Sequence, residues 1–295
     1  MPEQNYSEYL RKLINEAEKS FPPENVSIRR YEAELIISHL LKIPRIDIYT
    51  CKNIEISESQ KRALYSSFAR RKDMEPLQYI LGEESFRKLT LSVGPGVLIP
   101  RPETEQLVEV VLKLLPSRDA AILDVGVGSG AIALSVAHEV PESFVTGVDI
   151  SEEALRFARD NIRTNNITNV RLMKGCLCEG FLACSFDIIT ANLPYVTENE
   201  FTELDLEVRN FEPKKALTGG LDGLDLIRKL IPQAFKVLKP SGWLLLEIGC
   251  SQGIETVGLL KKSNYVNVEI IKDFNNKDRI VVGQKDYEEF EVADL

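Results

Sequence analysis

From Ala121 to Gly283 the chain alternates short apolar runs with helical ones, and that alternation narrows its fold more than any other feature. AILDV, FVTGVD, VRLMK, FDIITAN, WLLLEI, VNVEII and RIVVG read as seven strands, with helices predicted over 129–139, 152–165, 224–238 and 252–262. Strands separated by helices need crossover connections, which produce an α/β fold with a mainly parallel sheet covered on both faces. Only KDFNNKD separates the last two runs, close enough for a hairpin, so the final strand is expected to be antiparallel.

The residues before this alternation follow a different period. Tyr6, Tyr9, Leu10, Leu13, Ile14 and Ala17 fall on one helical stripe, and Tyr31 to Ile43 forms a second run that stops at Pro44. Ser57 and Gln60 have capping-box spacing ahead of a third helix through Phe68, and Pro76 to Ile80 suggests a last turn ending at Gly82. Leu89, Leu91 and Val93 then alternate as in a strand, ahead of the Gly/Pro-rich GPGVLIPRP. The expected division is a helical domain over 1–84, a linker over 85–102 and an α/β domain over 103–295. The run Arg70-Arg71-Lys72 is expected to be a solvated helix end.

Composition excludes several classes. Hydrophobic residues at 44% and charged residues at 27% of 295 describe a globular chain, neither collagen-like nor disordered. No apolar run approaches the roughly 20 residues of a membrane helix, and the N-terminal MPEQNYSEYLRKL lacks the apolar centre of a signal peptide, so a cytoplasmic protein is expected. The five cysteines Cys51, Cys176, Cys178, Cys184 and Cys250 are scattered and odd in number, which suits free thiols better than a disulfide scaffold. A zinc site would need His39 or His138, each in a helix of its own, so no metal is expected. Residues 1–90 carry 15 Lys/Arg against 14 Asp/Glu, leaving 36 − 15 = 21 against 45 − 14 = 31 for the rest. A second part at −10 attracts a phosphate backbone poorly, so no nucleic-acid partner is expected. The oligomeric state is not legible, and a monomer is the expectation.

Chemistry concentrates at the carboxyl ends of two strands. After AILDV come Gly126-Val127-Gly128-Ser129-Gly130, where missing side chains let the backbone approach a ligand and a helix start offers free N–H groups. Asp149 ends the next strand 23 residues after Gly126, suitably placed to accept hydrogen bonds from a ribose diol. A ligand-free tight turn is the plainer reading of the glycines, and the Asp149 spacing argues against it. Gly126, Gly128 and Ala131 also satisfy the dinucleotide fingerprint, so this loop alone separates neither a dehydrogenase nor a methyltransferase. The fourth strand ends in Asn192-Leu193-Pro194-Tyr195. Pro194 holds Leu193 extended, so the Leu193 carbonyl and the Asn192 side chain form a pair of acceptors. Two acceptors hold a conjugated NH₂ group and aim its weak lone pair at an electrophile. Tyr195 packs over planar groups.

With these residues the chain resembles the peptide chain release factor N5-glutamine methyltransferases, the HemK/PrmC family. The resemblance spans nearly the whole chain through QYILGEESF, GVLIPRPETEQLVE, ILDVGVGSGAIALSVA, VDISEEALRFARDN, FDIITANLPYV, EVRNFEPKKALTGGLDGLDLI and LLLEIG. It implies a Rossmann-like, seven-stranded class I methyltransferase domain with a small N-terminal helical domain that recognises the release factor and a β-hairpin linker. It further implies S-adenosylmethionine as cofactor and the glutamine of a Gly-Gly-Gln loop as substrate. Gly126, Val127, Gly128, Ser129 and Gly130 would wrap the methionine part of the cofactor, and Asp149 would hold its ribose. Asn192, Leu193, Pro194 and Tyr195 would hold the glutamine amide, with Asn192 also near the cofactor.

Two positions depart from the family pattern. Leu193 stands where the family usually has proline, giving the form found in the adenine-N6 dimethylases of ribosomal RNA. Cys176-Leu177 replaces an acidic and a bulky residue, leaving Leu177 to pack on the adenine. Arg101 and Thr104 would lie over the cofactor, although Pro102 and the acids after it also describe an ordinary helix start. Asp124 is expected to orient the Gly loop, and Phe211, Glu212 and Pro213 to shape the substrate wall. A nucleic-acid adenine methyltransferase, a dinucleotide-dependent oxidoreductase and a non-catalytic cofactor-binding adaptor are the alternative readings.

Overall fold

A computed structural model describes residues 6–22, 26–50 and 55–287. The Tyr6 side chain, Cys51 and the acidic tail beyond Tyr287 lie outside the described residues. The chain divides into two compact units, one holding the residues up to Glu83 with Asp205–Phe211, the other Glu84–Leu204 with Glu212 onward.

The first unit is built on helices α1 (Tyr6–Ser20), α2 (Val26–Leu41), α3 (Asp47–Thr50), α4 (Glu58–Lys72) and α5 (Leu77–Leu81). Leu10, Leu13, Ile14 and Ala17 of α1 are buried against Ile36 and Ile37 of α2 and Leu64 of α4 in one apolar cluster. Each such leucine or isoleucine stabilises the bundle by roughly 1.5–3 kcal/mol before entropy is counted. Helix α4 starts where the spacing predicts: the Ser57 hydroxyl accepts from the Gln60 N–H and the Gln60 side chain accepts from the Ser57 N–H. Helix α5 ends at Gly82, whose φ of +78° is left-handed. Helix α2 begins five residues before Tyr31. Of Arg70-Arg71-Lys72, Lys72 is solvated as expected, but Arg71 is not. Arg70 pairs with Glu75, and Arg71 is buried between Glu32 and Glu207, both 2.8 Å from its guanidinium.

The second unit opens with the hairpin β1 (Glu83–Phe86) and β2 (Leu89–Ser92), whose Phe86, Leu89 and Leu91 enter the main core. A turn at Pro102–Thr104 leads into α6 (Glu105–Leu114). There follow β3 (Ala121–Val125), α7 (Ala131–Glu139), β4 (Phe144–Asp149), α8 (Glu152–Thr164), β5 (Val170–Lys174) and β6 (Phe186–Asn192). After α9 (Glu198–Glu203) and α10 (Leu206–Phe211) come α11 (Asp225–Val237), β7 (Leu238–Glu247), α12 (Gly253–Lys262), β8 (Tyr265–Lys272) and β9 (Asp278–Lys285). Helix α10 belongs to the first unit.

The seven strands order β5-β4-β3-β6-β7-β9-β8, parallel except for β9, which runs antiparallel between β7 and β8. Alternate residues of each strand face opposite sides. Ile122 therefore joins the core under α6, α7 and α8, while Leu123 and Val125 join the core under α11 and α12. Strand β7 starts at Leu238, earlier than WLLLEI suggests, because Leu238 already pairs with Phe186, ahead of an irregular stretch where Ser241 takes a φ of +61° and regular pairing resumes at Trp243. The order reverses between β3 and β6, the place where open parallel sheets bind ligands beyond their carboxyl edge.

Candidate active site

The Gly loop crosses this reversal point in a conformation only glycine adopts without strain. Gly126, Gly128 and Gly130 have φ of +76°, +56° and +92°. Gly126 and Val127 donate their N–H groups to the Val148 carbonyl at 2.8 and 3.0 Å. Gly128 donates to Asp149 Oδ2 at 2.9 Å, and Ser151 donates its N–H to Asp149 Oδ1 at 2.8 Å. Asp149 thus braces the loop while keeping lone pairs on both oxygens for a ligand.

Two buried polar side chains fasten the loop from behind. Asp124 accepts from the Ala133 N–H at 3.2 Å and the Thr190 hydroxyl at 2.8 Å. Burial pushes its carboxyl up to about 7, with those hydrogen bonds opposing and the Asp149 charge adding to the rise. On α8, Asn161 donates to the carbonyls of Ser129 at 2.9 Å and Ser92 at 3.1 Å and accepts from the Ser92 N–H. Sequence reasoning missed Asn161, although a polar residue in line with Ala154 and Ala158 on a buried stripe was the available signal.

Beside the loop lies a cavity of about 730 Å³, ample for a nucleoside carrying an amino-acid tail. Gly126, Val127, Gly128, Ser129, Asp149, Leu177, Asn192, Leu193 and Pro194 line it, as do Arg101 and Thr104. Gly130 and Tyr195 are not among the lining residues. Gly130 turns the chain into α7, where a Cβ would sit 2.5 Å from Leu134 Cδ1. Ile150, 71% exposed, adds an apolar surface next to Asp149 that sequence reasoning did not pick out. Leu177 has its side chain mostly in the core, at a φ of +52°.

The other wall is braced by segments far apart in sequence. Buried Glu212 accepts from the Ile99 N–H at 3.1 Å and pairs with the Arg101 guanidinium. Pro213 lines the cavity, whereas Phe211 belongs to the first unit. The Gly219–Gly223 loop lies directly on the Asn192–Tyr195 segment, with Gly219 donating to the Val196 carbonyl at 2.9 Å. A Cβ on Gly219 would strike the Pro194 carbonyl, and one on Gly223 the Tyr195 carbonyl. Gln252 ties these loops together by donating to the carbonyls of Tyr195 at 2.9 Å and Asp222 at 3.1 Å.

Asn192 donates its side-chain N–H to the Thr104 hydroxyl at 3.2 Å. Its register partner on β7 is Glu247, 1% exposed, which burial pushes up to about 7 while Thr104, Arg279 and Asn192 oppose the shift and Glu103 adds to it. Burial and Glu247 push the Tyr195 hydroxyl up to about 12. Among the described residues no cluster of His, Cys, Asp and Glu suits a metal ion, and Cys178 is a buried thiol, also pushed up to about 12 by burial. No helix of the described residues is long and apolar enough to cross a membrane.

The geometry can be set beside known proteins. Residues 116–293 match the methyltransferase domain family, and residues 12–82 match the PrmC N-terminal domain family. A release factor glutamine methyltransferase of Thermodesulfovibrio yellowstonii is 44% identical over 86% of this chain and 92% of its own length. The chain belongs to the release factor glutamine methyltransferase family. A second member, from Geobacter sulfurreducens, is 36% identical over 93% of this chain and 96% of its own. Among solved structures, a methyltransferase from Pyrococcus furiosus shares the fold at a TM-score of 0.53, with 23% identity over 78% of this chain and all of its own.

Proposed function

We propose that the protein transfers a methyl group from S-adenosylmethionine to the side-chain amide nitrogen of the glutamine in the Gly-Gly-Gln loop of a peptide chain release factor. One observation carries this reading: Asn192, Leu193 and Pro194 line the same cavity as the Gly loop and Asp149. An amide-holding group and a nucleoside-holding group thereby share one space. Membership of the family supports the release factor as partner, and the charge of the second part of the chain supports a protein substrate over a nucleic acid.

The residues present fit the cofactor, since the positive-φ glycines leave a cradle without side chains and Asp149 retains acceptor capacity at its rim. Gly126 to Gly130 would hold the amino-acid part, Asp149 the ribose, and Ile150 and Leu177 the faces of the base. When bound, S-adenosylmethionine supplies an electrophilic methyl group on a sulfonium. Asn192 Oδ1 and the Leu193 carbonyl then accept the two N–H groups of the substrate amide and aim its nitrogen along the line of displacement. These acceptors stabilise the positive charge that grows on the N–H groups, and the methylated nitrogen, then strongly acidic, releases its extra proton to water, so positioning and fixed dipoles do the work without a strong base. Tyr195, outside the cavity lining, would hold the segment in place through its carbonyl and Gln252, and Arg101, held by Glu212, would close the cavity against water.

The helical domain (1–84) would read the release factor surface, with 85–102 joining it to the methyltransferase domain (103–295). The test is mass spectrometry of a Gly-Gly-Gln release factor incubated with the protein and labelled S-adenosylmethionine. One added methyl on that glutamine is expected. Label confined to ribosomal RNA would move the assignment to an adenine-N6 methyltransferase.

A further inference from the structure

Asn192 and Glu247 pair in register at the carboxyl ends of β6 and β7, so their side chains leave the sheet on one face. Thr104 is 3% exposed and accepts from the Asn192 amide. Among the described residues Glu247 Oε2 has no hydrogen-bond partner, which is unusual for a carboxyl this deeply buried. A hydroxyl has one proton and two lone pairs, whereas an ionised carboxylate only accepts. Thr104 and Asn192 both lie close enough to Glu247 to favour its charged form, so beside an ionised Glu247 the Thr104 hydroxyl turns its proton toward the carboxylate and presents a lone pair to Asn192. The Asn192 amide must then point its NH₂ edge inward, which leaves Oδ1 for the cavity.

We infer that Glu247 is a positioning residue that, through Thr104, fixes the Asn192 amide with its oxygen toward the substrate, so that the site accepts an N–H donor and rejects an acceptor. This rests on the functional reading above and deepens it. Glu247 does not line the cavity and acts only through Asn192. Protonating it frees Thr104 to donate to Asn192, whose amide can then flip and lose its acceptor. The groups facing Glu247 are Thr104 and Glu103 before α6, Asn192 and Tyr195 at and after β6, and Arg279 on β9. Their combined effect leaves the carboxyl at about 7, so the rate should rise with pH through that value as Glu247 ionises.

The experiment measures kcat, the KM for S-adenosylmethionine and the pH profile of release factor methylation by the full-length protein. Glu247→Gln should lower kcat by at least about tenfold, the scale of one lost hydrogen bond to a charged group. The KM for S-adenosylmethionine should stay within about twofold, and the rise in rate through pH 7 should disappear. Thr104→Val should lower kcat in the same way, and Thr104→Ser, which keeps the hydroxyl, should recover most of that loss even if Glu247→Gln fails to fold. A Glu247→Gln enzyme with undiminished kcat, or one that is slower yet keeps the pH limb, overturns the inference, as does a Thr104→Val enzyme as active as Thr104→Ser. An active parent enzyme with those results leaves the functional reading standing. A parent enzyme that does not methylate the release factor overturns both.

Discussion

The helical unit buries a guanidinium between two carboxylates, whereas the methyltransferase unit buries two carboxyls whose hydrogen-bond donors are all neutral. Arg71, its side chain 2% exposed, makes a forked contact with Glu32, a third bond to Glu207 and a fourth to the Glu75 carbonyl. Burial raises Glu32, and the adjoining guanidinium opposes the rise. Among the described residues Asp124 and Glu247 have no such ion pair, and both are pushed to about 7. A fully paired buried charge locks a conformation. A buried carboxyl with an incomplete set of partners titrates in the range where enzymes work, at some cost to stability. At Arg71 the paired cluster holds the chain together, at Asp124 and Glu247 the incompletely partnered carboxyls orient a reactive site, and the Glu212–Arg101 pair, between them in purpose, fixes the cavity wall.

Removing one member of the paired cluster tests this contrast most severely. Arg71→Ala leaves buried Glu32 without its counter-ion and half-buried Glu207 without its partner, so the helical unit should lose about 3–5 kcal/mol. Urea unfolding followed by circular dichroism measures that loss, while titration with S-adenosylmethionine should show unchanged affinity. A cofactor affinity that falls with stability would mean that the two clusters are not separate in purpose. A deletion ending at residue 84 is a poorer test, because it strips Glu207 of its partner as well.

Asn192→Ala should produce the opposite pattern. The stability should hardly move, but methylation at saturating cofactor should slow by about 100-fold, the scale for losing one preorganised group at a developing charge. Cofactor affinity should change less. A folded Asn192→Ala enzyme with near-parental turnover would remove the amide from the chemistry.

What could be seen in the sequence follows the range of the interactions. The Ser57–Gln60 capping box spans three residues and the alternation of strands with helices a few tens, so both were legible. Asp149 was legible because a glycine turn and the end of the next strand keep a regular spacing in parallel sheets. Arg71 was misread because its pairing with Glu207 spans 136 residues, and RRK at a helix end looks solvated without it. Thr104 was legible only through the resemblance, and its hydrogen bond to Asn192, 88 residues away, had no signal in the sequence. Glu247 drew no attention, since one acid at the end of WLLLE gains meaning only when β7 pairs with β6. Helices α9 and α10 were missed because neither has a buried residue to give it an apolar stripe.

Asp149→Ala divides loop bracing from ligand holding. It removes the acceptor for the Gly128 and Ser151 N–H groups together with the one proposed for the ribose, so S-adenosylmethionine should bind about 1.5–3 kcal/mol more weakly. Calorimetric titration against the parent protein measures it. Affinity within experimental error of the parent would show that the ribose lies elsewhere and that Asp149 serves only the turn.

The smallest effect is expected at Leu193, the departure from the family's usual proline. Its backbone carbonyl is the proposed acceptor, and proline keeps that carbonyl and the extended backbone before Pro194. The leucine side chain, however, is buried at 5% exposure and covers Gly126 so closely that a Cβ there would lie 3.1 Å from Leu193 Cδ2. Proline has a shorter ring and leaves part of that space empty, at a cost of about 1 kcal/mol for the lost methyl contacts. Leu193→Pro should therefore weaken cofactor binding by about fivefold while leaving kcat at saturating cofactor within about threefold. The opposite split, intact cofactor binding with a collapse in kcat, would place a leucine-specific contact at the substrate. Leu193 would then belong with Asn192 in the reactive cluster rather than with the packing that holds the Gly loop.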